Sequence, residues 1–159
     1  MDRLSPAMRR LIRDYNAGSV ATVNADGTPA VSPKATFVVV DDSCIAYGNI
    51  RSPGSSDNLR ERPCVEVNFI DVLARLALRV RGRARLVAKH SAEAEPLLAQ
   101  FEALWAPYLD QMSEFVCIDI EAVQMITSPA YDVGLKRDEL MSSNFDKLAA
   151  IYADRDSPL

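Results

Sequence analysis

The sequence predicts a mainly β domain with flanking helices, in which about six antiparallel strands close into a small barrel. Three observations carry this. Several segments alternate apolar and polar residues with period two, notably Val65–Phe69 and 76–87. Most successive segments are joined by tight turns, and strands joined that way pair antiparallel. Helical periodicity is confined to the two ends and two insertions, so the strands must supply most of the core.

The elements follow in order. Ser5-Pro6 is a helix start, a hydroxyl cap followed by proline at the first helical position. Met8, Leu11, Ile12 and Tyr15 continue at helical spacing, Arg9, Arg10 and Arg13 take the solvated side, and Gly18 ends the helix. Val20–Val23 is a strand, and Asn24-Ala25-Asp26-Gly27 is a turn with glycine where a positive φ is useful. Pro29 and Pro33 bound a second strand, which marks an edge or irregular pairing. Thr36–Val40 reads as a strand buried on both faces, and Cys44–Tyr47 returns after Asp41-Asp42-Ser43.

Ser52–Ser56 is expected to be a polar loop leading into a short helix, Asp57–Arg62, stopped by Pro63. The strand at 76–87 sets Leu76, Leu78, Val80, Ala84 and Leu86 against a row of Arg79, Arg81, Arg83 and Arg85. Gly82 at its centre marks a bend or a close backbone approach. Glu95–Trp105 is a helix with Pro96 in its first turn and Pro107 at its end. Val116–Ile120 is the last strand, and Asp138–Ala153 a weaker helix. The organisation is a single domain over 1–159, with an N-terminal helix in 1–17 and a C-terminal helical tail in 136–159.

The totals exclude several classes. With 159 residues, 48% of them apolar and 25% charged, the chain can bury one core, and disorder is excluded. No apolar run is long enough for a membrane helix, and the charged first residues lack a signal core, so a cytoplasmic protein is expected. A net charge of −4 argues against nucleic acid as a partner. Cys44, Cys64 and Cys117 are widely spaced and odd in number, which suits reduced thiols with no redox role. His90 is the sole histidine, so a His-rich metal site and a Ser-His-Asp triad are not supported and no metal site is expected. A surface position between strand and helix is expected for His90, with haem ligation as its alternative.

Certain residues narrow the fold further. Gly27-Thr28-Pro29-Ala30-Val31-Ser32-Pro33-Lys34 resembles the Gly-x-Pro-x-x-Ser-Pro-Lys stretch of the FMN-binding split-barrel family related to pyridoxamine 5'-phosphate oxidase. Tyr47-Gly48-Asn49, Asn58–Val65, Val80-Arg81-Gly82-Arg83-Ala84 and Ser128-Pro129-Ala130-Tyr131-Asp132 resemble later landmarks in the same order, covering roughly residues 17 to 135. The resemblance implies a six-stranded antiparallel split β-barrel working as a homodimer, with FMN in the interface cleft and a small-molecule substrate. Carried over by position, the candidate cofactor contacts are Ser32, Pro33, Lys34, Ala35 and Thr36, then Tyr47, Gly48 and Asn49, then Ser52, Ser55, Ser56 and Asn58.

The chemistry agrees with those residue types. A phosphate needs hydroxyls, free amides at a helix N-terminus and a cation, and Ser55 and Ser56 are expected to precede the short helix. Lys34 suits either the phosphate or the pyrimidine edge of the ring. The chain departs from the oxidase proper in having Ser55-Ser56 where a basic pair is usual, and in lacking an arginine near Ser32 and a glutamine near Ala77. The expectation is therefore an FMN-dependent oxidoreductase with no nameable catalytic residue, and not a pyridoxamine 5'-phosphate oxidase. The alternatives are a non-catalytic flavin- or haem-binding protein and a deazaflavin-dependent reductase. Arg79 and Arg81 are candidates to replace the missing cations; as a row, the arginines otherwise read as a solvated face or as partners for Glu66. Tyr131 and Asp132 either pin the C-terminal segment or line the ring site. Phe101 and Trp105 are read as core or dimer contacts.

Overall fold

The computed structural model describes residues 2–153 of the chain. The end of the 136–159 tail, residues 154–159, lies outside the described residues. Helix α1 (Pro6–Asp14) is capped by the Ser5 hydroxyl, which accepts from the Met8 N–H at 3.3 Å. Strands β1 (Gly18–Val23) and β2 (Pro29–Lys34) form a hairpin. At its turn Gly27 takes φ 84°, and Asp26 Oδ1 accepts from the Thr28 N–H and hydroxyl at 3.0 and 2.6 Å. Then come β3 (Phe37–Val39), β4 (Cys44–Asn49), α2 (Pro53–Glu61), β5 (Cys64–Asp71) and β6 (Leu76–Ala88). After α3 (Glu95–Leu109), β7 (Glu114–Thr127) and α4 (Arg137–Ala153) complete the described chain.

All pairings are antiparallel, in the order β2-β1-β5-β6-β7-β4-β3. The two edges, β2 and β3, are consecutive in the chain and joined only by Ala35-Thr36. Lys34 and Phe37 therefore lie within about 11 Å, the reach of three residues. A sheet whose edges are that close must curl on itself. The packing confirms it: a Cβ on Gly18 in β1 would meet the Phe37 ring of β3 at 2.9 Å. The fold is thus a mainly β, partly closed barrel with flanking helices. Among the described residues it has seven strands, one at each of the seven segments read from the sequence, where the family resemblance implied six.

Alternation along the strands divides the core. Val20, Phe37, Ile45, Tyr47, Val67, Phe69, Leu78, Val80 and Ile118 fill the barrel, and Leu11, Ile12 and Leu59 from α1 and α2 join them. The opposite faces of β3, β4 and β7 present Val38, Ala46, Phe115 and Cys117 to Leu97 and Phe101 of α3. Phe101 stacks on Phe115 with ring centroids 4.3 Å apart, and its full burial contributes about 3 kcal/mol. This second layer explains why β3 reads as apolar on both faces although it is an edge strand. Phe101 is core, as expected.

Four boundaries differ from expectation. Gly18 does not end α1: the helix stops at Asp14 with Tyr15 as its C-cap, and Gly18 opens β1, packed too closely against Phe37, Val67 and Phe69 for a side chain. Helix α2 begins at Pro53 rather than Asp57, because proline is preorganised for the first helical position and Ser52 sits before it. Pro107 does not end α3: the helix kinks at Trp105 (φ −131°, ψ 21°) and runs on to Leu109. The Trp105 indole N–H donates to the Phe37 carbonyl at 3.1 Å and holds the kink on β3. Strand β7 extends from Glu114 to Thr127, well beyond Val116–Ile120. Its second half is largely exposed and lacks apolar alternation, so only the ladder to β6 reveals it.

Candidate functional site

The residues singled out from the sequence fall into three places. The first is the edge where the barrel closes. Cross-strand partners point to the same face, and Ser32 and Lys34 lie opposite Val20 and Gly18, so both turn to the inner face. Lys34 is only 8% exposed. Its ammonium donates to the Ser32 hydroxyl and to the Pro33 carbonyl at 3.4 Å, and no carboxylate pairs with it among the described residues. Burial pulls its pKa below the ordinary lysine value. Ala35 and Thr36 make the link to β3, where the Thr36 hydroxyl donates to the Gly48 carbonyl at 2.7 Å. Pro33 turns to the outer face.

The second place is the corner between α2 and the ends of β4 and β7, a cavity of about 280 Å³. Ser52 and Ser56 line it with Asn49. Ser55 and Ser56 lie inside α2 rather than before it, and the Ser56 N–H is already bonded to the Ser52 carbonyl at 3.2 Å. The corner also holds Glu114, which sequence reasoning missed. It lies opposite Asn49 across the β4–β7 ladder, and only that pairing brings them together. The Ser56 hydroxyl donates to Glu114 Oε1 at 2.5 Å, the Asn49 amide to the same oxygen at 3.1 Å, and Arg60 to Oε2 at 2.8 Å. Burial pushes the Glu114 carboxyl up, but these donors outweigh it and hold the group below the usual carboxylate range. Asn58 is turned away: its amide donates to Thr22 and Asn24 of the first hairpin at 3.0 and 2.9 Å and pins α2 to the barrel.

Tyr47 sits deep in the barrel, 1% exposed, with a buried hydroxyl that has no hydrogen-bond partner among the described residues. Burial and the nearby Glu114 charge push its pKa well up. An orphaned buried hydroxyl carries a desolvation cost. Tyr47→Phe is therefore expected to stabilise the protein by about 1 kcal/mol in urea denaturation. A loss of that size would show that the hydroxyl is partnered in solution.

The third place is the outer face of the sheet. Arg79 and Arg81 line a cleft of about 340 Å³ with Glu66 and Gln124. Arg79 pairs with Glu66 at 3.3 Å, as the charge pattern suggested, and Arg85 pairs with Glu93 and with Asp119 at 3.6 Å. Lys34 is on the inner face and three strands away, so a single chain does not bring it together with Arg79 or Arg81. Tyr131 is a structural pin: its hydroxyl donates to the Ala74 carbonyl at 2.5 Å. His90 lies exposed in the turn after β6. Cys44 and Cys117 are buried free thiols and Cys64 an exposed one.

Comparison with known proteins gives a consistent picture. The family model described as pyridoxamine 5'-phosphate oxidase matches residues 4–127. No curated protein matches the chain. Among solved structures, a candidate pyridoxamine 5'-phosphate oxidase from Lactobacillus delbrueckii is 26% identical, with a TM-score of 0.64 over 78% of this chain and 99% of that one. The haem storage protein HutZ from Vibrio cholerae is 22% identical, with a TM-score of 0.61 over 79% and 94%. An FMN-binding protein from Syntrophomonas wolfei is 11% identical, with a TM-score of 0.61 over 76% and 84%. The last two likenesses establish the fold alone.

Proposed function

Since the chain belongs to the pyridoxamine 5'-phosphate oxidase family, we propose that it is a flavin-binding protein of that family, a homodimer with the flavin in the cleft between two copies, acting as an oxidoreductase on a small molecule. The observation that carries this reading is Lys34. A lysine that is 8% exposed as a residue and whose ammonium has, among the described residues, only a hydroxyl and a carbonyl for partners calls for an anion or an electron-rich ring edge. A flavin offers both.

The remaining residues fit unequally. The β2–β3 link, with Ser32, Lys34, Ala35 and Thr36, offers a cation and hydroxyls beside the open edge of the barrel, which suits a flavin ring. The α2 corner suits the phosphate less, because its side-chain donors already serve Glu114. When bound, the flavin would supply hydride transfer, and the chain would supply position and charge. Lys34 would stabilise negative charge on the ligand, while Arg79 and Arg81 would face it only from the second copy. A second copy on the outer sheet face would cover Val31 and Ile70, which are 68% and 44% exposed.

Two measurements test the reading. The flavin-stripped protein is expected to quench flavin fluorescence saturably at one flavin per chain, and absence of quenching with both riboflavin and FMN would sink the flavin assignment. Sedimentation is expected to show a dimer at micromolar concentration, and a monomer there would remove the shared cleft.

A further inference from the structure

The corner at the N-terminus of α2 is chemically unlike a phosphate site. A phosphate subsite presents unspent donors and positive charge. Here an internal anion has taken those of Ser56, Asn49 and Arg60. Glu114 Oε1 accepts from both Ser56 and Asn49, and Oε2 accepts from Arg60, whose other guanidinium nitrogen is held by Asp57 at 2.9 Å. The Glu114 side chain is 14% exposed, so water screens it weakly. Its pKa is held below the usual carboxylate range, so Glu114 stays ionised, and Asp57 beside it leaves the corner with two carboxylates against the single guanidinium of Arg60.

We infer that Glu114 is a specificity-determining residue that rejects a phosphate monoester and accepts a flavin whose side chain ends in an alcohol. The inference rests on the flavin reading above. A phosphate dianion in this corner meets a like charge at close range and finds Ser56, Asn49 and Arg60 already engaged. An alcohol has the opposite character: its O–H donates, and a carboxylate has lone pairs to spare for it. The corner thus offers the ligand end a carboxylate acceptor whose cationic partner, Arg60, is already engaged, where the departure from a basic pair at Ser55-Ser56 alone would leave a neutral site.

Equilibrium titration of the flavin-stripped full chain with riboflavin and with FMN, followed by flavin fluorescence, tests this. The wild-type protein is expected to bind riboflavin about tenfold or more tighter than FMN, a difference of about 1.4 kcal/mol. Glu114→Gln keeps the size and an acceptor oxygen but removes the charge. It is expected to tighten FMN by about tenfold and to weaken riboflavin by about threefold, because a neutral amide oxygen accepts the alcohol less strongly than a carboxylate. Circular dichroism and a melting curve establish that the variant is folded; if it is not, the wild-type comparison decides alone. Wild-type FMN binding as tight as riboflavin overturns the role of Glu114 and leaves the flavin reading standing. A folded Glu114→Gln with unchanged FMN affinity also overturns it. Failure of both ligands to bind overturns the flavin reading, and the inference with it.

Discussion

Gly82→Ala is expected to destabilise the protein by about 3 kcal/mol or more. Gly82 is buried at the centre of β6, where the register to β7 changes: Arg81 faces Ala122 but Gly82 faces Ile120, so Glu121 is left over as a bulge. The two backbones approach closely at this point. A Cβ on residue 82 would lie 2.2 Å from the Asp119 carbonyl oxygen and 3.0 Å from Ile118 Cγ2. A side chain can rotate away from such a clash, but a carbonyl in a ladder cannot. The strands must separate or the bulge must move, and β6 is the thirteen-residue strand that joins the two halves of the sheet. Domains of this size are stable by about 5–15 kcal/mol, so the loss is a large share of the total. Urea denaturation gives the value directly. A midpoint equal to wild type would mean that the bulge shifts freely.

Lys34→Met is expected to move two properties in opposite directions. Flavin affinity should fall about tenfold or more, because a buried charge–ligand contact is removed. The ligand-free protein should become more stable, because methionine fills similar space without a charge to desolvate. The pH dependence gives the signature. Burial lowers the folded-state pKa of Lys34 below its unfolded value. The folded state is therefore penalised most at pH values below the folded pKa, where lysine is charged in both states. The penalty is relieved as pH rises through the folded pKa towards the unfolded value. Wild type and Lys34→Met should differ most near neutrality and converge in the alkaline range, which melting curves from neutral to alkaline pH will show. A variant that is less stable but binds flavin normally would make Lys34 a structural residue.

The split between these two positions shows what a linear reading can reach. Gly82 was legible as a close approach, because glycine in a long alternating strand has few other reasons to be there. The edge position of β2 was legible from Pro29 and Pro33. Lys34 was legible only through the resemblance of its neighbours, since a lysine after a proline is ordinarily exposed. Glu114 gave no local signal, and its role depends on facing Asn49 sixty-five positions earlier.

Ser55 and Ser56 show a different limit. Their hydroxyls were recognisable as donors, but one turn of extra helix at Pro53 changed where they point and what they meet. Arg79 and Arg81 were placed correctly on one strand face. That this face is the opposite one from Ser32 and Lys34 follows from the register through β1 and β5.

The sequence by itself determined the strands, turns, helix caps and the mainly β class, because each is set by sterics and hydrogen bonds between residues a few positions apart. Tertiary structure alone decided that β2 and β3 close the barrel, that Glu114 enters the α2 corner, and that Lys34 is buried without a counter-ion among the described residues. Those outcomes depend on which distant strands pair and in what register, and the local period of a strand is the same whichever partner it finds.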